Sequence, residues 1–129
     1  MKRIAVVAGI LRDDNGRVLI AERLGDDAMA GKWEFPGGKI GSGESAATAL
    51  ARELGEELGI EMLACTHFMS LEHDYDDRQV ALDFYFVREW LQEPQGRDGQ
   101  RLKWVMPSAL QSGSMLAADV AVVDALRKL

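Results

Sequence analysis

Cysteine is nearly missing from this chain. Cys65 stands alone, which excludes an intramolecular disulfide and a sulfur-built metal centre. Histidine is almost as scarce. His67 and His73 have no partners at ligand spacing and read as ordinary polar residues rather than catalysts. No apolar run approaches the ~20 residues a bilayer span needs. The apolar start, Ile4 to Leu11, meets Arg12 and Asp13 at once and reads as a first strand, not a signal peptide. No membrane partner and a cytoplasmic location are therefore expected. Positive charge is also in deficit: the net charge is -6. A nucleic-acid polymer calls for a basic face, and no aromatic-basic pattern for strand binding occurs, so none is expected as a partner. Repeats, low-complexity tracts and linkers are absent from the sequence, and residues 1–129 are expected to form one domain.

What is present suits a globular domain. Hydrophobic residues make up 47% of the chain, so a core can form without covalent staples. Residues 4–11 are apolar on both alternating faces, as in a central strand covered on both sides. Asp13-Asp14-Asn15-Gly16 carries a hairpin signal, with residues 17–23 as the return strand. Residues 24–32 read as a loop, and residues 33–39 as a short segment ending in Pro36-Gly37-Gly38. Ser45 is placed to cap a helix running to about Leu58, with Gly59 just past its end. Strands are expected over 62–72, 79–88 and 102–105. Val80, Leu82, Phe84 and Phe86 share one face of the second of these. Pro94 to Gly99 reads as a loop, Pro107 as the start of a helical turn, and Asp119 to Leu129 as a terminal helix. This order predicts an α/β fold with helices packed on a mixed sheet.

The helix over 45–58 is unusual. At roughly 100° per residue, Glu53, Glu56 and Glu57 fall within an arc of about 100°. Ala47, Leu50, Ala51, Leu54 and Leu58 form a separate apolar stripe beside them. One reading is a solvated acidic face with an Arg52–Glu56 pair four residues apart. The other is a magnesium site, because like charges repel and a hard cation takes oxygen ligands together with substrate phosphates. A bound cation also explains how an acidic protein accepts an acidic substrate.

The spacing around that helix decides between them. Gly38, five residues, Glu44, seven residues, then Arg52-Glu53-Leu54-x-Glu56-Glu57-x-Gly59-Ile60 matches all nine constrained positions of the Nudix box. Phe35-Pro36-Gly37-Gly38-Lys39 is similar to the entry segment of the MutT-like subgroup, and the chain resembles that subgroup from end to end. The resemblance implies an α/β/α sandwich with a loop-helix-loop catalytic motif. It implies a magnesium-dependent pyrophosphohydrolase, with manganese able to substitute. Metal ligands are then expected at Glu53, Glu56, Glu57 and Asp98 and at the carbonyl of Gly37, with those four carboxylates as the catalytic set. Glycine at 37 would allow a close approach and an unusual φ. Gly38, Glu44, Arg52 and Gly59 would support the motif, Glu44 and Arg52 by bracing loop against helix.

The resemblance also implies a substrate, 8-oxo-dGTP, cleaved to monophosphate and pyrophosphate in nucleotide-pool sanitation that serves DNA repair and replication. A monomer or weak dimer is expected. Arg23, Glu34, Phe35, Pro36, Gly37, Gly38, Lys39, Arg78 and Asp119 would contact the nucleotide. Asp119 departs from the subgroup, which has Asn there. Ionised Asp only accepts hydrogen bonds, whereas Asn also donates. Relatives that hydrolyse cytidine triphosphate resemble the chain at this position, so a CTP or dCTP pyrophosphohydrolase is the alternative. Asp119 also occupies a helix N-cap position. Two further departures are Ala28, where the subgroup has histidine, and Gly55 inside the catalytic helix. A binding-only domain conflicts with the complete acidic set. A dinucleotide hydrolase conflicts with the shortness of the chain.

Overall fold

The computed structural model describes residues 2–129. The strands are β1 (Lys2–Leu11), β2 (Val18–Glu22), β3 (Trp33–Glu34), β4 (Gly37–Lys39), β5 (Glu61–Asp74), β6 (Arg78–Leu91) and β7 (Leu102–Val105). The helices are α1 (Ala46–Leu58) and α2 (Val120–Arg127). Four strands form a mixed sheet in the order β4-β1-β6-β5, with β1 and β6 parallel. The other three form an antiparallel sheet, β3-β2-β7.

The hairpin expected from Asn15-Gly16 exists only as a turn. The Asp13 carboxylate accepts from the N–H groups of Asn15 at 3.0 Å and Arg17 at 2.9 Å. One bridge, Arg12 to Val18, follows before the strands part. β1 then pairs with β4 and β6, while β2 pairs with β3 and β7. Both strands carry apolar residues on both faces, which suits separate, doubly covered positions better than a ribbon open on one side. The segment expected as one short piece after Trp33 is likewise divided. Phe35-Pro36 carries the chain from β3 in one sheet to β4 in the other.

Two apolar clusters flank the sheets. Val7, Leu11, Leu19, Val87 and Ile60 pack against Ala49, Leu50, Leu54 and Leu58 of α1. Ala8, Ile10, Val18, Ile20, Phe84 and Phe86 pack against Val122, Val123 and Leu126 of α2. Alternation along β1 and β2 thus feeds both layers, producing the α/β/α sandwich. The α1 stripe is centred on Ala49 and the three leucines. Ala47 and Ala51 are only half-buried at its margins.

The ends of α1 follow from sequence. The Ser45 hydroxyl accepts from Thr48 N–H at 3.1 Å. Gly59 closes the helix at φ 70°, and its N–H donates to Gly55 O at 3.1 Å. Gly55 is not explained by close packing, since a Cβ there would meet only the Ile60 carbonyl, at 3.7 Å. Among the described residues, no helix is long and apolar enough to cross a membrane.

Candidate active site

A cavity of about 580 Å³ opens between β1, β6, the 24–32 loop and the start of α2. Its wall includes Arg23, Glu34, Phe35, Gly37, Gly38, Lys39, Glu57, Arg78 and Asp119. Nine of the expected site residues are therefore brought together. Pro36 and Asp98 line a smaller neighbouring recess of about 100 Å³, which shares Arg23, Glu34 and Glu57 with the large one. Glu53 and Glu56 line neither cavity. Ala28 lies exposed in the 24–32 loop.

The glycine-rich entry is required by contact, not by φ. Gly37 is not in the left-handed region, contrary to part of the reason expected for it. A Cβ on Gly37 would stand 2.0 Å from the Val7 carbonyl oxygen, and one on Gly38 would stand 2.4 Å from the Glu53 carboxylate. Beside β1 only bare backbone fits at Gly37, while a side chain at Gly38 would displace the Glu53 carboxylate. Gly59 meets a similar restriction, because its Cβ would lie 2.5 Å from the Arg97 guanidinium.

Arg52 ties this loop to the helix. It donates to both Glu44 oxygens at 2.8 Å, to Glu53 at 3.0 Å and to the Lys39 carbonyl at 3.1 Å. The Arg52–Glu56 contact four residues apart is also present, at 3.4 Å, so that pair forms one corner of a larger network. Glu44 accepts from Gly41 N–H at 2.7 Å as well. Arg52 and then this N–H hold the Glu44 carboxyl down to about 2.

The acidic residues occupy different depths. Glu56 is exposed, Glu53 is largely covered beneath Arg52, and Glu57 is half-buried, accepting from Gly37 N–H at 3.2 Å. Burial pushes the Glu57 carboxyl up to about 8, and the charges of Glu53, Glu34 and Asp98 add to the rise. The shared helical face is present. As the side chains stand, though, no three acidic, His or Cys groups among the described residues converge to hold an ion. Asp98 reaches the neighbourhood of Glu57 because its loop is clipped to the end of α1. Gln95, Arg97 and the Gln100 side chain donate to the carbonyls of Leu58 and Glu57 at 2.9 to 3.2 Å.

The donor set fits a magnesium ion. It is all oxygen, which suits a hard cation. Glu57 also lies amid acidic neighbours and, among the described residues, has no basic side chain paired with it. Arg52 serves Glu44, Glu53 and Glu56, and Arg23 serves Glu34 at 3.3 Å.

The far end of the cavity is different. Val80, Leu82, Leu116 and Ala118 contribute apolar wall. Asp119, 3% exposed, is the buried acid there. It stands at the N-cap position of α2 but makes no side-chain capping bond. Its carboxylate instead accepts from Phe35 N–H at 3.0 Å. Burial pushes its carboxyl up to about 7, against the pull of that N–H. Glu34 adds to the rise and Arg23 opposes it. Tyr75, between β5 and β6, also lines this end and was not foreseen. Its signal in the sequence was an aromatic at a strand turn three residues before Arg78, whose guanidinium carbon lies 5.2 Å from the ring centroid.

Comparisons with known proteins agree with this geometry. The family profile described as NUDIX domain matches residues 1–126. The 8-oxo-dGTP diphosphatase of Escherichia coli strain K12 is 38% identical over 129 residues, covering all of both chains. The CTP pyrophosphohydrolase of the same strain is 36% identical over all of this chain and 95% of its own length. The solution structure of the E. coli ORF135 protein superposes with a TM-score of 0.88 at 36% identity, covering 100% of this chain and 91% of that one. A carboxylate-bearing helix behind a contact-restricted glycine loop, together with these full-length likenesses, places the chain in the NUDIX domain family, among its MutT-like members.

Proposed function

We propose that this chain is a nucleoside triphosphate pyrophosphohydrolase whose preferred substrate is 8-oxo-dGTP, giving the monophosphate and pyrophosphate. The observation that carries the reading is one continuous cavity with acidic oxygens and bare glycine backbone at one end and a buried polar group in an apolar wall at the other. A triphosphate with its metal suits the first end and a flat base the second. The full-length likeness to an 8-oxo-dGTP diphosphatase supports the same choice of base.

Glu53, Glu56, Glu57, Asp98 and the Gly37 carbonyl are the groups assigned to hold magnesium, with manganese as a substitute. When bound there, the cation supplies charge neutralisation and Lewis-acid polarisation at the phosphate oxygens. Glu53 or a neighbouring carboxylate takes the proton from the attacking water. Water adds at the β-phosphorus, the α–β bridging oxygen leaves with the monophosphate, and the β- and γ-phosphates depart as pyrophosphate. Lys39 and Arg23, at the cavity wall, counter the charge of the chain of phosphates. Arg52 and Glu44 keep the loop and helix in register.

A second reading, hydrolysis of CTP or dCTP, is favoured by Asp119, an acceptor that matches the cytosine amino group. A panel of 8-oxo-dGTP, dGTP, CTP, dCTP and modified dCTP, with pyrophosphate release measured, tests both. The highest kcat/KM is expected for 8-oxo-dGTP. A preference for the cytosine compounds replaces the first reading with the second, and the same panel on Asp119→Asn shows whether this residue sets the choice.

A further inference from the structure

Among the described residues, one buried side-chain polar atom has no hydrogen-bond partner: the hydroxyl of Tyr75. The nearby Ala118 backbone polarises it without forming a well-made bond. Native proteins leave few such atoms unpaired, because a buried hydroxyl stripped of water forfeits its hydrogen bonds. An orphan on a residue that lines a cavity is the exception with a ready explanation, since a ligand can supply the missing partner.

Tyr75 lines the large cavity, at the same end as Asp119, and the Asp119 charge is felt at its hydroxyl. The ring is fixed before any ligand arrives. Tyr75 N–H donates to the Arg78 carbonyl at 2.8 Å, closing the turn between β5 and β6. The Arg78 guanidinium covers the ring, and the His73 ring meets it edge-on at 4.6 Å. The ring also packs against the α2-side core. A phenol held this firmly loses little conformational freedom when it binds. The rest of this end is mostly apolar, so its few polar atoms carry the selection.

We propose that the Tyr75 hydroxyl is a base-reading group, donating to a carbonyl oxygen of the bound base beside the acceptor that Asp119 presents. The inference rests on reading this cavity as a nucleoside triphosphate site. Asp119 already spends one oxygen on Phe35 N–H, and when ionised it offers no donor. A base edge with a ring N–H next to a carbonyl, as in guanine-type bases, needs an acceptor and a donor side by side. Tyr75 supplies the donor that Asp119 lacks.

The test is Tyr75→Phe, assayed on the preferred nucleoside triphosphate and on 1,2-dideoxyribose 5′-triphosphate, which has no base. The variant is expected to lose about tenfold in kcat/KM on the nucleotide, the scale of one hydrogen bond. The loss should appear in KM, with kcat and turnover of the base-less compound unchanged. Its Tm should hold or rise, because an unpaired hydroxyl is removed. If the wild type prefers the nucleotide over the base-less compound and Tyr75→Phe keeps that preference in full, the Tyr75 role is wrong while the nucleotide site stands. If the wild type shows no such preference, the cavity is not a base site, and both fail. A fall in Tm with equal losses on both substrates assigns the hydroxyl to the fold and overturns the proposal.

Discussion

The two ends of the cavity each hold a buried carboxyl shifted upward, Glu57 to about 8 and Asp119 to about 7. Burial is the first cause in both. The neighbours differ. Glu57 faces Glu53, Glu34 and Asp98, with the Gly37 N–H as its one opposing hydrogen bond. Asp119 has one acidic neighbour, Glu34, and is opposed by the Phe35 N–H and by Arg23. The same cost of desolvation thus builds two tools. At the phosphate end, unbalanced negative charge calls for a cation from solution. At the base end, a lone buried carboxyl sits in apolar surroundings, where whether it can donate depends on its protonation state.

Breaking the phosphate end should have the largest effect. Glu57→Gln is expected to cut kcat by about 10²–10⁴-fold, the scale of losing one positioned catalytic group, measured under saturating magnesium. In metal-free buffer at alkaline pH the same variant should be more stable than the wild type. The folded carboxyl lies above its usual 4.5. The stability it contributes is therefore complete below about 4.5 and is lost as pH rises through about 8. Melting curves at pH 9 should favour the variant, and those near pH 4.5 should coincide. A variant that keeps full activity removes Glu57 from the catalytic set.

Asp119→Asn sharpens the contrast at the other end. Asn can still accept from Phe35 N–H but never ionises. The wild-type carboxyl lies above its usual 3.8 when folded, so its contribution is lost as pH rises through about 7. Denaturant titrations should show the variant gaining on the wild type between pH 4 and pH 8, by about 3–5 kcal/mol at the upper limit. A pH-independent difference would show that the buried carboxyl is not shifted. This gain should not depend on metal, unlike that of Glu57→Gln.

The smallest effect belongs to α1 away from its acidic face. Gly55→Ala should stabilise by about 1 kcal/mol, because the helix interior prefers alanine and the added methyl meets nothing closer than 3.7 Å. Turnover should stay unchanged. Loss of stability in a denaturant titration of this variant would reveal a packing role for the glycine.

Much of this was legible beforehand, for local reasons. Helical periodicity put Glu53, Glu56 and Glu57 on one face, Ser45 and Gly59 marked the ends of α1, and alternation on β6 identified Val80, Leu82, Phe84 and Phe86 as core. Other features depend on contacts between distant segments. The Asn15-Gly16 signal predicts a hairpin, yet β1 and β2 part after one bridge, because each gains more by joining a different sheet. Asp119 looks like a helix cap, yet its carboxylate is claimed by Phe35, 84 residues earlier in the chain. Tyr75 carries no motif at all, and only its place in the cavity wall and its unpaired buried hydroxyl give it meaning.

By itself, the sequence determined the identity and spacing of the acidic groups, because a helix converts fixed intervals into a shared face. It also marked Gly37 as a point of close approach, but gave no sign that Gly96 is equally confined against the Gln100 carbonyl. The tertiary structure alone decided how deep each carboxylate sits and what surrounds it. Desolvation and neighbouring charge arise only once β1, β4, α1 and the 94–99 loop are packed together. That packing makes Glu57 a carboxyl crowded by other acids and Asp119 a carboxyl raised mainly by its own burial.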